Sequence, residues 1–273
     1  MHEPDRLGTP RPDKRTVRAA FDRAAPSYDS AAAVQREACA HLLRFAAAYR
    51  PGGTVARVLD AGCGTGHALS LLSAHFPDAS AIALDFAPAM LARLDKPARQ
   101  APVQSLCADL EALPLADASI DLVWSSLALQ WCDPARAFAE FARVMRPGAA
   151  AWLATLGPGT LHELRTAFAA IDDAEHVIGF HAPEHWLAGA AQAGLTVRAH
   201  TTCTIHALAA DLRSLLADIK AIGAHSVGAA RRRAPLGKAA WRTLQSAYEG
   251  HRRADGLLPA SYDLILIALA RPE

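Results

Sequence analysis

Three glycines and three aspartates in the first half of the chain have a spacing that suits ligand chemistry. They are Asp60-x-Gly62-x-Gly64-x-Gly66, then Asp85, then Asp109. Alternating glycines let a backbone turn sharply and approach a ligand with no side chain in the way. A helix beginning after Gly66 would direct its free N–H groups at the same ligand. An acid at Asp85, at the end of a second strand, suits the two hydroxyls of a ribose. An acid at Asp109, after a third strand, suits the exocyclic amine of an adenine. The spacing G-x-G-x-G departs from the dinucleotide fingerprint G-x-G-x-x-G, whose last position here is His67. An acid before the loop and one after each of the next two strands fit S-adenosylmethionine (SAM) better than NAD.

These residues need strands and helices to hold them. Apolar runs at about 55–59, 81–85, 103–107, 120–125 and 150–155 read as strands. Helical stretches at about 67–75, 88–94 and 134–146 lie between them, and Pro88 and Pro134 suit helix starts. Pro147-Gly148 reads as a turn. Such alternation predicts an α/β fold with a mostly parallel sheet and helices on both faces. Its ligand crevice lies beyond the carboxyl ends of the strands. The second half reads as helices at 161–171, 183–194, 209–222 and 235–251, with strands at 196–206 and 262–270.

Composition sets the class. The 273 residues are 52% hydrophobic and 20% charged, enough to bury a core. The net charge of +1 argues against a globally basic nucleic-acid binder. The five cysteines, Cys39, Cys63, Cys107, Cys132 and Cys203, form no C-x-x-C pair. That count and spacing fit a reducing cytosol, and a cytoplasmic location is expected. No metal site is expected, since Pro183 separates His181 from His185 and no H-E-x-x-H occurs. No apolar run has the length of a membrane span. Residues 1–15 are expected to be a disordered leader, and 16–273 a single domain. Helical insertions are expected at about 157–194 and 207–255.

The acid–glycine–acid set resembles the class I SAM-dependent methyltransferases, firmly over 55–155 and more loosely at the C-terminal strand pair. The resemblance implies a Rossmann-like sheet that ends in an antiparallel pair, here 196–206 and 262–270, under a helical N-terminal lid. It implies that Asp60, Gly62, Gly64 and Gly66 meet the amino-acid part of SAM, with Cys63 in the same loop. Asp85 then holds the ribose and Asp109 the adenine. Phe86, Met90, Leu110 and Ser126 join the cofactor lining.

Segments outside that core resemble a narrower family, the malonyl-acyl-carrier-protein O-methyltransferases of biotin synthesis. They are Phe21-Asp22-Arg23-Ala24-Ala25-Pro26-Ser27-Tyr28-Asp29, Leu127-Ala128-Leu129-Gln130-Trp131-Cys132, Thr155-Leu156-Gly157-Pro158-Gly159-Thr160-Leu161 with Glu163-Leu164-Arg165, and Ile219-Lys220-Ala221-Ile222-Gly223-Ala224. The acceptor implied is the free carboxylate of a malonyl thioester. A carboxylate is ionised at neutral pH, so the protein must orient and dehydrate it and needs no strong base. Arg165 and Lys220 are candidate cations for it. Tyr28 is a candidate donor over the transfer centre, and Gln130 and Trp131 are candidate walls.

The implied partner, acyl carrier protein, is acidic as a family. Residues 206–255 hold nine Arg/Lys against four Asp/Glu, so the rest of the chain carries −4. Arg231, Arg232, Arg233, Lys238, Arg242, Arg252 and Arg253 concentrate that charge, and a basic face would steer an acidic partner. Two alternatives stay open: another small carboxylic acid or a quinone precursor as acceptor, and a methyltransferase-like modification or assembly factor.

Overall fold

The computed structural model describes residues 13–95, 102–222 and 236–273. The chain opens with α1 (Lys14–Ala24), α2 (Tyr28–Ala31) and α3 (Ala33–Ala46). The parallel core follows: β1 (Arg57–Ala61), α4 (His67–His75), β2 (Ser80–Asp85), α5 (Pro88–Leu91), β3 (Val103–Cys107), β4 (Ile120–Ser126), α6 (Pro134–Val144) and β5 (Met145–Leu156). The second half supplies α7 (His162–Ala169), α8 (Pro183–Gln192), β6 (Thr196–Ala209), α9 (Leu212–Ala221), α10 (Lys238–Glu249) and β7 (Leu258–Ala270).

The seven strands run in the order β3-β2-β1-β4-β5-β7-β6. The first five are parallel, and β7 is antiparallel to both β5 and β6. The expected α/β class and the terminal antiparallel pair are both present. Strand order reverses between β1 and β4, so the loops after these two strands flank the switch-point crevice.

Successive strand residues face opposite sides, and in the inner strands both sides are buried. The edge strands β3 and β6 are largely exposed or half-buried. Val58, Leu122, Trp124 and Leu264 join one core with α3, α4, α7, α9 and α10. Leu59, Val123 and Ile265 join the other with α6 and α8. Parts of the expected 157–194 insertion therefore lie on different faces. α7 packs with α10, whereas α8 packs against α6 as a regular member of the opposite layer. Glu163 ties α7 to β7 by accepting the N–H and hydroxyl of Ser261.

Several boundaries differ from expectation. The helix expected at 88–94 stops at Leu91, and the last strand starts at Leu258 rather than at 262. Two further differences have a visible cause. Helix α1 starts at Lys14, because Asp13 caps it by accepting the N–H of Thr16 at 3.1 Å. Residues 13–15, expected in the leader, thus belong to the cap and first turn of α1, and residues 1–12 lie outside the described residues. Pro147-Gly148 does not precede β5 as a separate turn. It forms a bulge inside the strand, where the register passes from Ile120↔Met145 to Leu122↔Ala150. Gly148, at φ +75°, donates to the carbonyl of Arg271 and accepts from Gly52, both at 3.0 Å.

Gly62 is the tightest point at the switch. Its φ is +84°, and a Cβ there would lie 2.3 Å from the Cβ of Ala128 in the loop after β4. Its N–H and that of Cys63 donate to the carbonyl of Leu84 at 2.8 and 2.9 Å. Gly62→Ala is expected to destabilise the fold by about 2–4 kcal/mol through backbone strain and overpacking. Gly53→Ala, where a Cβ meets nothing within 4 Å, is expected to stay within about 0.5 kcal/mol of the parent. Chemical denaturation of both variants checks this, and equal stability would remove the packing argument.

Candidate functional site

Two adjoining cavities open at the carboxyl ends of β1, β2 and β4. The first encloses about 620 Å³ and is lined by Asp85, Phe86, Met90, Asp109 and Leu110, among others. The second encloses about 930 Å³ and is lined by Asp60, Cys63 and Thr65 under α3. Tyr28, Gly62 and Ser126 border both. An elongated ligand can therefore put one end in each cavity, with its middle beside Tyr28.

Asp85 organises the first cavity. It is 8% exposed, and burial raises its pKa above the usual carboxylate range. One oxygen accepts the Gly64 N–H at 2.9 Å and the other the Ala87 N–H at 2.8 Å. Each oxygen keeps a second lone pair, so two ribose hydroxyls still find acceptors. Asp109 accepts Lys14 Nζ on both oxygens, at 2.7 and 2.6 Å, and the Glu111 N–H at 3.0 Å. Lys14 also reaches Glu111 at 2.8 Å. The acid expected to face adenine is thus shared with the first turn of α1.

The N-terminal helices cover the cavities through identifiable contacts. Phe21 meets Phe86 and Trp131 edge to face, with centroids 6.1 and 5.7 Å away. Asp22 accepts the Ala89 N–H at 3.1 Å. Thr65 donates to Asp29 at 2.5 Å, joining α2 to the glycine loop. Tyr28 lies over Gly64, where a Cβ would meet its ring at 3.7 Å.

Asp60 is the electrostatic anomaly. It is 1% exposed, and its Oδ2 has no hydrogen-bond partner. Burial, then the nearby Asp85, pushes its pKa up to about 8. A desolvated carboxylate with an orphaned oxygen is completed by a cation. SAM fits that requirement, since its methionine end carries an ammonium group and its nucleoside suits Asp85. Burial also raises the Tyr28 phenol and moves the Cys39 thiol up to about 12, so both keep their protons at neutral pH.

Of the expected cofactor residues, Asp60, Gly62, Cys63, Gly64, Asp85, Phe86, Met90, Asp109, Leu110 and Ser126 border these cavities. Gly66 does not. Its φ of +93° closes the loop, and a Cβ there would lie 2.9 Å from Leu94. Tyr28 and Trp131 border the first cavity. Gln130 does not border either cavity and donates its amide to the Leu127 carbonyl at 2.7 Å. Arg165 donates to the Pro158 carbonyl outside both linings. Lys220 is exposed in the last turn of α9, next to Ala221, whose carbonyl accepts the Ser27 hydroxyl at 3.2 Å. Gly223 and Ala224 lie outside the described residues, as do Arg231, Arg232 and Arg233.

Lys14, Phe21, Gln35, Arg36, Thr65 and Trp124 are lining residues that sequence reasoning missed. The D-x-G-x-G-x-G spacing pointed at Thr65, which stands between two of its glycines. Nothing comparable marked the others. No group of three or more His, Cys, Asp or Glu able to hold a metal occurs among the described residues. No helix among them is long and apolar enough to cross a membrane.

Removing the Asp60 charge has a signed consequence. An acid whose folded pKa lies near 8, against about 3.9 unfolded, binds more protons folded than unfolded between those values. It therefore lowers stability progressively as pH rises from about 4 to 8. Asp60→Asn lacks this loss. In ligand-free protein the variant's stability advantage is expected to widen by up to roughly 1.4 kcal/mol per pH unit across that window. Denaturation curves at pH 5, 6, 7 and 8 test it, and parallel profiles would contradict it.

A family described as "Methyltransferase domain" matches residues 59–153. The malonyl-[acyl-carrier protein] O-methyltransferase of Dechloromonas aromatica is 45% identical over 257 residues, covering 94% of each chain. The biotin biosynthesis bifunctional protein BioHC of Cellvibrio japonicus is 36% identical over 263 residues, covering 95% of this chain and 51% of that one. The methyltransferase chain of a Haloferax volcanii complex with the Trm112 methyltransferase activator superposes with a TM-score of 0.57. It is 19% identical and covers 93% of this chain and 98% of that one, a likeness of fold. With an identity that runs through nearly the whole chain and a pair of adjoining cavities at the switch point, this protein belongs to the malonyl-[acyl-carrier protein] O-methyltransferases, a family of SAM-dependent methyltransferases.

Proposed function

We propose that the protein methylates the free carboxylate of a malonyl thioester carried by acyl carrier protein, giving the methyl ester that enters biotin synthesis. The observation that carries this reading is the 45% identity over 94% of the chain, which extends well beyond the cofactor core. SAM, when bound, supplies an electrophilic methyl group on its sulfonium. The protein's own groups supply position and dryness. Tyr28, held protonated by burial, serves as a hydrogen-bond donor at the junction of the cavities. Cys39 and Cys63 likewise have raised pKa values. A site whose junction lacks a base suits a nucleophile that arrives already anionic, and a carboxylate does.

Lys220 lies beside the lid segment at Ser27 and takes the malonyl carboxylate in this reading. Arg165 shapes the loop at Pro158, and Gln130 and Trp131 hold the wall after β4. Among the candidate docking cations, Arg252 is paired with Glu249 at 2.6 Å and Arg253 with Asp255 at 3.0 Å. Lys238 and Arg242 are exposed one turn apart on α10 and form the part best placed to steer an acidic carrier.

Labelled methyl transfer decides the acceptor. Malonyl-carrier protein is expected to yield an alkali-labile methyl ester and S-adenosylhomocysteine, and Asp85→Ala to abolish it. Free malonate and quinol precursors are the competing arms. No methyl ester on the malonyl carrier would sink the reading. Release of S-adenosylhomocysteine only with another protein in a cell extract would favour a modification factor.

Docking has its own test. Lys238→Glu with Arg242→Glu is expected to lower kcat/KM for malonyl-carrier protein about tenfold at low salt, with the deficit shrinking at high salt. Unchanged kcat/KM would place the carrier on another face.

A further inference from the structure

Beside the first cavity, an ammonium from α1 is held by two acids of unlike burial. Lys14 Nζ lies 2.7 and 2.6 Å from the two oxygens of Asp109 and 2.8 Å from Glu111 Oε1. A lysine ammonium has three N–H donors, so each of these oxygens can take one. Lys14 and Asp109 line the cavity, and Glu111 does not.

Glu111 explains why the ammonium sits there. Its side chain is 5% exposed, against 39% for that of Asp109. A buried carboxylate needs compensation from charges and hydrogen bonds. Oε1 also accepts the Asp133 N–H at 2.6 Å, just before α6, and Oε2 lies 3.3 Å from Arg136 on that helix. Glu111 is thus fixed from the α6 side and offers its remaining capacity to α1.

Asp109 has the opposite need. The plane of an aspartate carboxylate turns easily about its last torsion, and a partly exposed one turns unless it is held. Oδ1 accepts both the ammonium and the Glu111 N–H, the latter at 3.0 Å, while Oδ2 accepts the ammonium. A carboxylate oxygen has two lone pairs. Oδ1 is therefore filled, and Oδ2 keeps one acceptor position. A single fixed acceptor suits one N–H of an exocyclic amine. It opposes an oxo group, which brings lone pairs of its own.

We propose that Lys14 is a positioning residue, seated by Glu111, that fixes Asp109 so that Oδ2 reads the 6-amine of the adenine. Discrimination of the base thereby requires α1 to be docked. The assignment rests on SAM being the cofactor and on Asp109 meeting its adenine, and it adds what aims that acid.

Calorimetric titration of the full chain tests it with S-adenosylhomocysteine and S-inosylhomocysteine, which has an oxo group in place of the amine. The parent is expected to bind the first at least about tenfold more tightly. Lys14→Met keeps an apolar stem and removes the ammonium. It is expected to raise the Kd for S-adenosylhomocysteine about tenfold and to leave that for S-inosylhomocysteine within about twofold. Glu111→Gln keeps the shape and is expected to act in the same direction, by about threefold. In an Asp109→Asn background, Lys14→Met is expected to change the Kd for S-adenosylhomocysteine by less than about twofold, because the acid it acts on is gone. Equal losses for both ligands, or an undiminished loss in the Asp109→Asn background, would make Lys14 an ordinary lid contact and overturn the proposal. Equal binding of both ligands by the parent would remove Asp109 as the reader of the amine, and the proposal with it. Failure of the parent to bind S-adenosylhomocysteine at all would instead sink the SAM reading.

Discussion

Two carboxylates buried at the ends of adjacent strands, Asp60 on β1 and Asp85 on β2, are the constraint around which the site is arranged. Burial raises the cost of ionising both, and the Asp85 charge adds to it at Asp60. Asp85 offsets it with two backbone N–H groups from Gly64 and Ala87. Those bonds also set the path of the glycine loop. Asp60 has no equivalent compensation at Oδ2. A fold selected for stability alone would replace it with an amide or an apolar side chain. Its persistence in the sequence makes sense if a cationic ligand completes it, and the methionine end of SAM is such a ligand.

The same electrostatics explain the N-terminal helices. A desolvated site needs a cover, and the cover must be held without a permanent bond so that ligand can enter. Lys14 bridges Asp109 and Glu111, Asp29 accepts from Thr65, and Asp22 accepts from Ala89. All are part-buried polar contacts, and Thr65 and Glu111 are their buried ends. The aromatic set Phe21, Phe86 and Trp131 adds apolar contact at the cavity mouth. The cover is therefore held by several contacts distributed along α1 and α2, which together seat Tyr28 at the junction of the cavities.

The core was legible because its periodicity is strong. Helix 67–75 and strand 103–107 are found as expected, and Asp60, Asp85 and Asp109 sit at or just beyond strand ends. What escaped depends on tertiary contact. Lys14 belongs to a polar, proline-rich start, and only the capping bond of Asp13 and the acids at 109 and 111 give it a role. Pro147-Gly148 has turn chemistry, yet Gly52 and Arg271 draw it into the sheet as a bulge. Trp124 is one apolar letter in a buried strand. Its indole N–H has no partner among the described residues, unlike that of Trp152, and sequence periodicity carries no such information. Gln35 and Arg36 stand in a helix whose spacing marks its buried face and is silent about the side that lines a cavity.

Fold and acceptor rest on different physical grounds. The parallel sheet, the switch point and the glycine loop create a place for a nucleoside, and this architecture hosts many chemistries. Selection of a carboxylate acceptor needs less machinery than a hydroxyl or carbon acceptor would, because the nucleophile brings its own charge. The site is consistent with that economy. Its buried phenol and thiols hold their protons, and Asp60, whose pKa burial raises to about 8, lines the second cavity. An acceptor requiring deprotonation would need a base at the junction bordered by Tyr28, Gly62 and Ser126, where the side chains offer only hydroxyl groups. The chemistry that remains is alignment of two charged partners in a dry space, one a sulfonium and the other a carboxylate. Their opposite charges favour approach before any side chain intervenes.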